Sequence, residues 1–343
     1  MSPDADTDRR VQALSAWLQT QPERWRIDVA SLRPASADAS FRRYFRVDAP
    51  GHDGRTLVVM DAPPEREDTR PFIRVASLLV QAGLNAPAII ARDVEQGFLL
   101  LSDLGSVTYL SALTPGNADV LYGDAIAALV KWQLASRPGV LPPYDEALLQ
   151  RELKLFPDWY VERHLQHALT DSERQTLEQQ TRLILAACLA QPSVYVHRDY
   201  MPRNLMVTTP NPGILDFQDA VFGPITYDVA SLVRDAFISW EEERVLDWTV
   251  RYWERARAAG LPVEPDFGDF YRAFEWMGLQ RHLKVLGIFA RINYRDGKPQ
   301  YLTDTPRFVR YVRTVTQRYG ALTPLARLFD RLEGVATRTG YTF

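Results

Sequence analysis

The residues best suited to chemistry lie near the middle of the chain, on loops that follow two short apolar segments. Asp199 stands two residues after His197, Asn204 comes five residues after Asp199, and Asp216 directly follows an aliphatic run. A carboxylate such as Asp199 can orient a hydroxyl group or accept its proton. The oxygens of Asn204 and Asp216 are ligands of the kind that Mg²⁺ prefers. Together these side chains suit phosphoryl transfer, which needs aligned reactants and neutralised charge more than covalent help.

The spacing of these residues is itself specific. His-x-Asp-(x)4-Asn is the pattern of the protein-kinase catalytic loop, and Asp216 with Phe217 stands where the metal-binding Asp-Phe-Gly of those enzymes stands. We interpret residues 194–217 as a β-hairpin that presents the loop between apolar strands. Within it we expect His197 to brace the loop through backbone hydrogen bonds. A polar hairpin without a catalytic role is disfavoured, because composition alone rarely produces this pattern.

The elements that must position this loop follow from hydrophobic periodicity. Alternation and compact apolar runs predict strands at 41–47, 57–60 and 98–101, with a helix at 68–83. Helical spacing dominates after residue 105. The pattern predicts one more helix before that point, over 1–20. After it, helices are predicted over 117–137, 144–167, 171–189, 226–236, 241–259, 266–292, 302–319 and 323–337.

This order of elements predicts an α+β fold with two lobes, since a chain of 343 residues exceeds what one core usually supports. The N-lobe, residues 1–105, is small and β-rich, and its last segment, 101–105, would be a hinge. The C-lobe, residues 106–343, is large and helical and carries the catalytic loop. We expect the ligand site in the cleft between the lobes.

Several stretches give the chain a family resemblance. The catalytic-loop region, the segment FLLLSDLG at 98–105 and the segment PITYDVASL at 224–232 resemble the aminoglycoside phosphotransferase and choline kinase branch of the protein-kinase-like fold. The resemblance covers most of the chain. Residues 36–47, 58–65 and 277–292 are moreover similar to bacterial cell-wall sugar kinases, which phosphorylate the anomeric hydroxyl of N-acetylmuramate and N-acetylglucosamine.

The resemblance implies a kinase mechanism with ATP and Mg²⁺ as cofactors. It implies that Asp199 is the catalytic residue, that Asp228 braces the catalytic loop together with His197, and that Asn204 and Asp216 bind the metal. Backbone groups of the hinge would bind the adenine. The nucleotide-binding residues that we expect are Ser40, Arg42, Arg43, Met60, Leu101, Ser102, Leu104 and Leu215.

The first third of the chain departs from the kinase pattern. Only four of the 40 lysine and arginine residues of the whole chain are lysines, and none precedes residue 131. The absence of a lysine from this region also excludes a P-loop there. The lysine that pairs with ATP phosphates is therefore missing, Met60 stands in its place, and the phosphate loop at 36–41 is not glycine-rich. We hypothesise that Arg43 or Arg42 replaces the missing lysine, because Arg43 shares a strand face with apolar residues. Alternatively both arginines face solvent and Mg²⁺ carries the charge. Met201 also stands where protein kinases often carry a lysine.

A sugar acceptor needs hydrogen-bonding groups, and N-acetylmuramate adds a carboxylate that a cation would bind. Arg281, Lys284 and Arg291 lie on one predicted helix and would form a cationic wall of the acceptor site. Two glycines of that helix, Gly278 and Gly287, indicate the close approach of another backbone or of a ligand. The alternative is a solvated face or salt bridges to acidic residues.

An earlier predicted helix offers a second candidate wall of the acceptor site. It carries Glu152, Phe156, Asp158 and Trp159, of which Glu152 and Trp159 are the expected sugar contacts. The alternative is that Phe156 and Trp159, three residues apart, belong to an ordinary core stripe.

Bulk composition excludes other classes of protein. A net charge of −3 and a pI near 6.0 give no electrostatic case for a nucleic-acid or membrane partner. The single Cys188 excludes an internal disulfide and fits a reducing compartment. Neither a secretory signal nor a membrane-spanning run is evident, so we expect a cytoplasmic protein. The expected partner is a small-molecule sugar, with no obligate protein partner evident.

Two other functions stay open at this point. The acceptor could be an aminoglycoside, choline, homoserine or another sugar. A pseudokinase that only binds nucleotide is the alternative from another class, because the lysine and the glycines are missing. The set of Asp199, Asn204 and Asp216 argues against it, since a pure binding module needs no such trio. A protein substrate is disfavoured, because the segment between Asp216 and Gly223 is too short for a long activation segment.

Overall fold

The computed structural model describes residues 3–36, 41–52 and 55–334, and the chain forms two compact units. The first unit comprises Met1–Thr108 with Leu205–Asp219, and the second comprises Tyr109–Asn204 with Ala220–Phe343. The chain therefore enters the first unit twice, the second time directly after residues 197–204, the predicted catalytic loop. Ser40, which we expect to bind nucleotide, lies outside the described residues.

An antiparallel sheet forms the centre of the first unit. Its elements are α1 (Pro3–Gln19), β1 (Asp28–Ser36), β2 (Arg43–Ala49), β3 (Arg55–Asp61), α2 (Arg70–Gln81), β4 (Ile89–Asp93) and β5 (Phe98–Ser102), with a short 3₁₀-helix at Glu23–Trp25. The strand order is β1-β2-β3-β5-β4. The predicted helices at 1–20 and 68–83 and the predicted strands at 41–47, 57–60 and 98–101 are confirmed.

One face of this sheet is covered by α1. Because side chains alternate along a strand, Val47, Leu57, Val59 and Leu100 point to the same face. There they form a buried core with residues of α1, among them Leu14. Burying this apolar surface is what fixes α1 on the sheet. The intervening strand positions belong to the opposite face.

The second unit is mainly helical. Its helices are α3 (Tyr109–Ala112), α4 (Ala118–Leu134), α5 (Glu146–Leu153), α6 (Asp171–Leu189), α7 (Tyr227–Val233), α8 (Glu242–Ala258), α9 (Phe267–Asp296), α10 (Thr305–Arg318) and α11 (Thr323–Leu332), with a π-helix at Phe156–His164 and 3₁₀-helices at Pro202–Asn204, Pro299–Asp304 and Gly320–Leu322. None of the helices that the structure describes is long and apolar enough to cross a membrane.

The helix predicted at 144–167 is wrong as a single element. The structure divides it into α5 and the π-helix Phe156–His164. Pro157 lies at the start of the second piece and has no backbone N–H to donate, so the regular α-helical hydrogen bonds cannot continue through it.

The single hairpin predicted at 194–217 is also wrong. Two separate strand pairs stand there: β6 (Ser193–Val196) pairs with β9 (Val221–Pro224), and β7 (Leu205–Met206) pairs with β8 (Gly213–Ile214). Strand β7 has only two residues, too few to pair along the whole of β6. The β6–β9 pair belongs to the second unit and the β7–β8 pair to the first.

The long helix α9 contains two glycines at which the sequence predicts close packing, and one of them, Gly287, lies close to another backbone. A Cβ on Gly287 would lie 2.3 Å from the carbonyl carbon of Leu155, so the predicted close backbone approach is confirmed there. At Gly278 no described backbone approaches so closely, because a Cβ would lie 3.5 Å from the His282 ring and 3.8 Å from the Ala230 side chain, which are ordinary contacts. The approach of a ligand at Gly278 stays a prediction.

Candidate active site

The catalytic loop of the second unit is held by hydrogen bonds at both ends. The buried carboxylate of Asp228 accepts the backbone N–H of His197 at 2.6 Å and that of Arg198 at 3.0 Å. The Nδ1 atom of His197 accepts the N–H of Asp199 at 3.3 Å, which is the kind of bracing that the sequence predicts. The Nδ2 atom of Asn204 donates to the carbonyl oxygen of Asp199 at 2.9 Å. These bonds fix the backbone that carries the half-buried Asp199.

Asp228, on α7, is a fully buried carboxylate. Burial raises its pKa to about 7, although the N–H groups of His197 and Arg198 partly oppose that effect. This carboxylate therefore anchors the loop, and the charge of the carboxylate depends on pH near neutrality.

Two predicted sugar contacts from different helices lie side by side. The Nζ atom of Lys284 lies 2.9 Å from Oε1 of Glu152, and Arg198 donates to the same oxygen at 2.5 Å. Burial raises the pKa of Glu152, but Lys284, Arg198 and Tyr144 lower it more, so the net pKa is below the ordinary value. Burial lowers the pKa of Lys284, but Tyr227 and Glu152 raise it, and the net pKa is above the ordinary value. Lys284 thus forms a salt bridge to an acidic residue, which is the alternative to a cationic wall of the acceptor site.

The other predicted acceptor residues are spread over the second unit. Arg281 is buried, and its Nη2 atom lies 4.0 Å from the sulfur of Met201 on the catalytic loop. Arg291 is half-buried and stands roughly 15 Å further along α9, at 1.5 Å per helical residue. Trp159 is half-buried on the π-helix. Phe156 stacks on Phe329 at 5.3 Å and belongs to the core, as its alternative interpretation holds.

In the first unit, Arg43 lies on the sheet face that α1 covers. Its Nε atom donates to the fully buried carboxylate of Asp61 at 3.0 Å, and Arg10 of α1 donates to the other oxygen of that carboxylate. Arg43 therefore serves as counter-ion to a buried acid. Its role as substitute for the missing lysine stays a prediction, which this packing disfavours.

Met60 and Leu101 lie on the opposite face of the sheet, where the register pairs them with Tyr44 and Val58. Both are buried. Arg42 directly precedes β2, and its Nε atom lies 3.8 Å from a carboxylate oxygen of Glu67.

The predicted hinge is fixed by an acidic residue that sequence reasoning missed. The Asp103 carboxylate accepts hydrogen bonds from Arg46 at 2.5 Å, from Thr56 at 2.5 Å and from the N–H of Gly105 at 2.9 Å. Burial raises the pKa of Asp103, but these donors lower it more, and the net pKa is below the ordinary value. The N–H of Ser102 donates to the carbonyl oxygen of Ala88 at 2.9 Å.

Leu104 lies against β8, since a Cβ on Gly213 would lie 2.9 Å from its Cδ1 atom. Leu215 and Asp216 follow β8, and both side chains are half-buried. Asp216 has a φ of 60°, a left-handed conformation that few non-glycine residues adopt, and its Oδ1 atom accepts from Gln218 at 2.8 Å. The next residue, Phe217, packs on Phe72 of α2.

The sequence held only partial signals for the residues that were missed. Asp103, in Ser-Asp-Leu-Gly, precedes a glycine by two residues, which is a turn signal. Arg198 lies inside the catalytic-loop pattern, but nothing local indicates that its partner is Glu152. Asp61 directly follows an apolar strand, and its buried ion pairs depend on residues that are distant in sequence.

A small antiparallel sheet and a large helical unit are the two parts of a protein-kinase-like fold. The profile of the phosphotransferase enzyme family matches residues 31–263. The chain belongs to this family, and the predicted fold class is confirmed.

Curated relatives extend over nearly the whole chain. An N-acetylmuramate/N-acetylglucosamine kinase of Pseudomonas aeruginosa is 55% identical, with 95% of this chain and 97% of the relative covered. A kinase of the same name from Neisseria meningitidis is 50% identical, with 98% and 100% covered.

Solved structures show the same fold at low identity. An ADP-bound aminoglycoside phosphotransferase has a TM-score of 0.53 at 15% identity, over 88% of this chain and 97% of that one. A choline kinase from Cryptosporidium parvum has a TM-score of 0.60 at 11% identity, over 94% and 99%.

Proposed function

We propose that this protein is an ATP-dependent sugar kinase that phosphorylates the anomeric hydroxyl of N-acetylmuramate and N-acetylglucosamine. The observation that carries the proposal is the identity of 50–55% to kinases of that name over 95–98% of this chain. Because ATP is the phosphoryl donor, we also propose a cytoplasmic location and a small-molecule sugar as the partner.

In this proposal Asp199 is the catalytic residue. The anomeric oxygen forms a bond to the γ-phosphorus, the bond from that phosphorus to the β,γ-bridging oxygen breaks, and ADP leaves. The hydroxyl proton passes to the carboxylate of Asp199. Three hydrogen bonds support this role, because they fix the backbone on both sides of the carboxylate. The N–H of His197 donates to Asp228, the N–H of Asp199 donates to the His197 side chain, and the Asn204 side chain donates to the carbonyl of Asp199.

The donor set fits a magnesium ion. Asn204 and Asp216 would hold it, and the bond from Asn204 Nδ2 to the Asp199 carbonyl determines which end of that amide is the oxygen. Among residues 3–36, 41–52 and 55–334, no cluster of three or more His, Cys, Asp or Glu side chains that could hold a metal occurs. The ion would neutralise charge on the transferred phosphoryl group.

For the nucleotide we propose the sheet face opposite α1, with Met60 and Leu101, together with Leu215 and the hinge backbone at Ser102 and Leu104. Ser40 and Arg42 are the proposed phosphate contacts. For the sugar, Glu152 and Lys284 bind each other, which leaves Trp159, Arg281 and Arg291 as proposed contacts. Arg281 retains a buried Nη1 group that has no hydrogen-bond partner among the described residues.

The experiment is an assay of ADP release with Mg²⁺ and a panel of acceptors: the two amino sugars, kanamycin, choline and homoserine. We expect turnover with the amino sugars and loss of their reducing end, because phosphorylation of the anomeric oxygen removes it. A product that still reduces copper would place the phosphate elsewhere, and no sugar-dependent turnover would refute the proposal.

The mechanism has its own control. Asp199→Asn should abolish turnover, whereas Asp171→Asn, the same chemical change at an exposed position on α6, should not affect it. Equal activity of the Asp199 variant and the wild type would overturn the mechanism.

A further inference from the structure

One buried carboxylate of the second unit accepts hydrogen bonds from four side chains that belong to three segments of the chain. Glu152, at the end of α5, is 6% exposed. Its Oε1 atom accepts from Arg198 at 2.5 Å and from Lys284 at 2.9 Å. Its Oε2 atom accepts from the Tyr144 hydroxyl at 2.5 Å and from Gln280 Nε2 at 3.5 Å. Both oxygens of Glu152 are thus used within the protein.

Arg198 connects this carboxylate to the catalytic loop. It stands between His197 and Asp199 and has a φ of 76°, a conformation that favours glycine. Its backbone N–H binds Asp228, and its guanidinium binds Glu152 and lies over the Tyr144 ring at 5.5 Å. An arginine is tolerated in this conformation because its two ends are held by two different acids.

Lys284 places a second cation beside the same loop. Its Nζ atom binds Glu152 and also the Tyr227 hydroxyl at 3.0 Å. Asp199 is the residue after Arg198 in the chain, and its charge contributes to the raised pKa of both Lys284 and Arg198. Glu152 is the hydrogen-bonded carboxylate partner that the two cations share.

We propose that Glu152 is a positioning residue, which orients Asp199 through Arg198 and Lys284 and does not contact the sugar. The inference rests on the proposed kinase activity and assigns Glu152 a role other than the sugar contact expected from the sequence. A sugar hydroxyl would have to displace one of four donors from a carboxylate that is almost fully buried. Loss of its charge would instead leave the buried Lys284 and the half-buried Arg198 without that partner and release the loop.

The test is a double-mutant cycle on kcat with N-acetylglucosamine as acceptor. We expect Glu152→Gln to lower kcat by about 10- to 100-fold while the KM for sugar and for ATP changes by less than about threefold, because misplacement of a catalytic group acts on the chemical step. Arg198→Gly, which relieves the backbone conformation but removes the side chain, should lower kcat similarly. The double variant should be no slower than the slower single variant, because the two residues act as a unit.

Two control variants separate positioning from general damage to the fold. Arg198→Lys keeps a cation near Glu152 and should recover part of the activity that Arg198→Gly loses. Tyr144→Phe removes one donor but no charge, and should lower kcat with unchanged KM even if Glu152→Gln folds poorly.

Three results would overturn the inference. These are fully additive effects in the cycle, a rise in the sugar KM with unchanged kcat in Glu152→Gln, and equal activity of Arg198→Lys and Arg198→Gly. Failure of the sugar-kinase proposal would be seen separately, as wild-type protein without sugar-dependent turnover. The cycle could then be measured on ATP hydrolysis by the same variants.

Discussion

Replacing Gly287 by alanine tests how tightly α9 is packed. The added Cβ would lie 2.3 Å from the carbonyl carbon and 2.4 Å from the carbonyl oxygen of Leu155, whereas carbon atoms in contact normally lie about 3.5–4.0 Å apart. The obstacle is backbone, which cannot rotate away as a side chain can. Overpacking costs about 1–3 kcal/mol, and a backbone clash belongs at the upper end. Alanine regains about 1 kcal/mol in a helix interior, so the net loss should be about 2 kcal/mol.

Gly278 in the same helix is the matched control. A Cβ there would make only ordinary contacts, at 3.5 Å and 3.8 Å, so Gly278→Ala should gain up to about 1 kcal/mol from helix propensity alone. At about 2–4 °C per kcal/mol for a unit of this size, Gly287→Ala should unfold about 4–8 °C below the wild type. Gly278→Ala should unfold about 2–4 °C above the wild type.

Thermal and denaturant unfolding of both variants measure this difference. The Gly287 variant should also lose activity, because Leu155 stands three residues after Glu152 and a displaced backbone would move that carboxylate. A Gly287→Ala protein as stable as Gly278→Ala would refute the packing argument, since both substitutions change helix propensity equally.

Three further predictions concern the nucleotide side and the loop anchor. Arg42→Ala should raise the KM for ATP several-fold, whereas Arg43→Ala should leave it near the wild-type value and lower thermal stability, because Arg43 binds the buried Asp61; equal KM increases would contradict this assignment. Asp103→Asn should raise the KM for ATP without changing that for sugar, because the hinge loses its charged anchor, and unchanged ATP kinetics would contradict that role. Asp228 has a pKa of about 7 against an unfolded value of 3.8, so its stabilising contribution is complete below about pH 4 and is lost as pH rises through 7. The destabilisation by Asp228→Asn, about 1–3 kcal/mol in denaturant titrations at low pH, should therefore shrink towards pH 8, and a difference independent of pH would exclude this account.

Local patterns in the sequence predicted most of the elements. Helical periodicity located α6, α8 and α9 within a few residues, because each has an amphipathic or capped sequence of its own. Pro157 marks a point at which hydrophobic periodicity does not predict the type of helix. The apolar spacing continued through it, but a residue without a backbone N–H forces a different helix.

The site was predictable where its chemistry is local and not where it depends on distant pairing. His197, Asp199 and Asn204 follow one another in a short segment, so their spacing is visible. The partner of Glu152 is 132 residues away at Lys284, and no local pattern connects them. Arg43 illustrates a related limit: alternation along β2 shows which residues share a face, but not that α1 covers it.

The first unit is built from two separate segments of the chain, and this limits when it can finish folding during synthesis. When the ribosome has made the first 108 residues, the five strands of the sheet are present, but residues 205–219 are still missing. Asn85 then has no Gly213 to pair with, and Phe72 has no Phe217 to pack on. Those partners emerge only after almost a hundred residues of the second unit, so the first unit cannot finish folding before the catalytic loop has been synthesised. A fragment that ends at the hinge would lack Phe217 and would therefore expose Phe72. Truncation at the hinge thus does not yield a complete first unit.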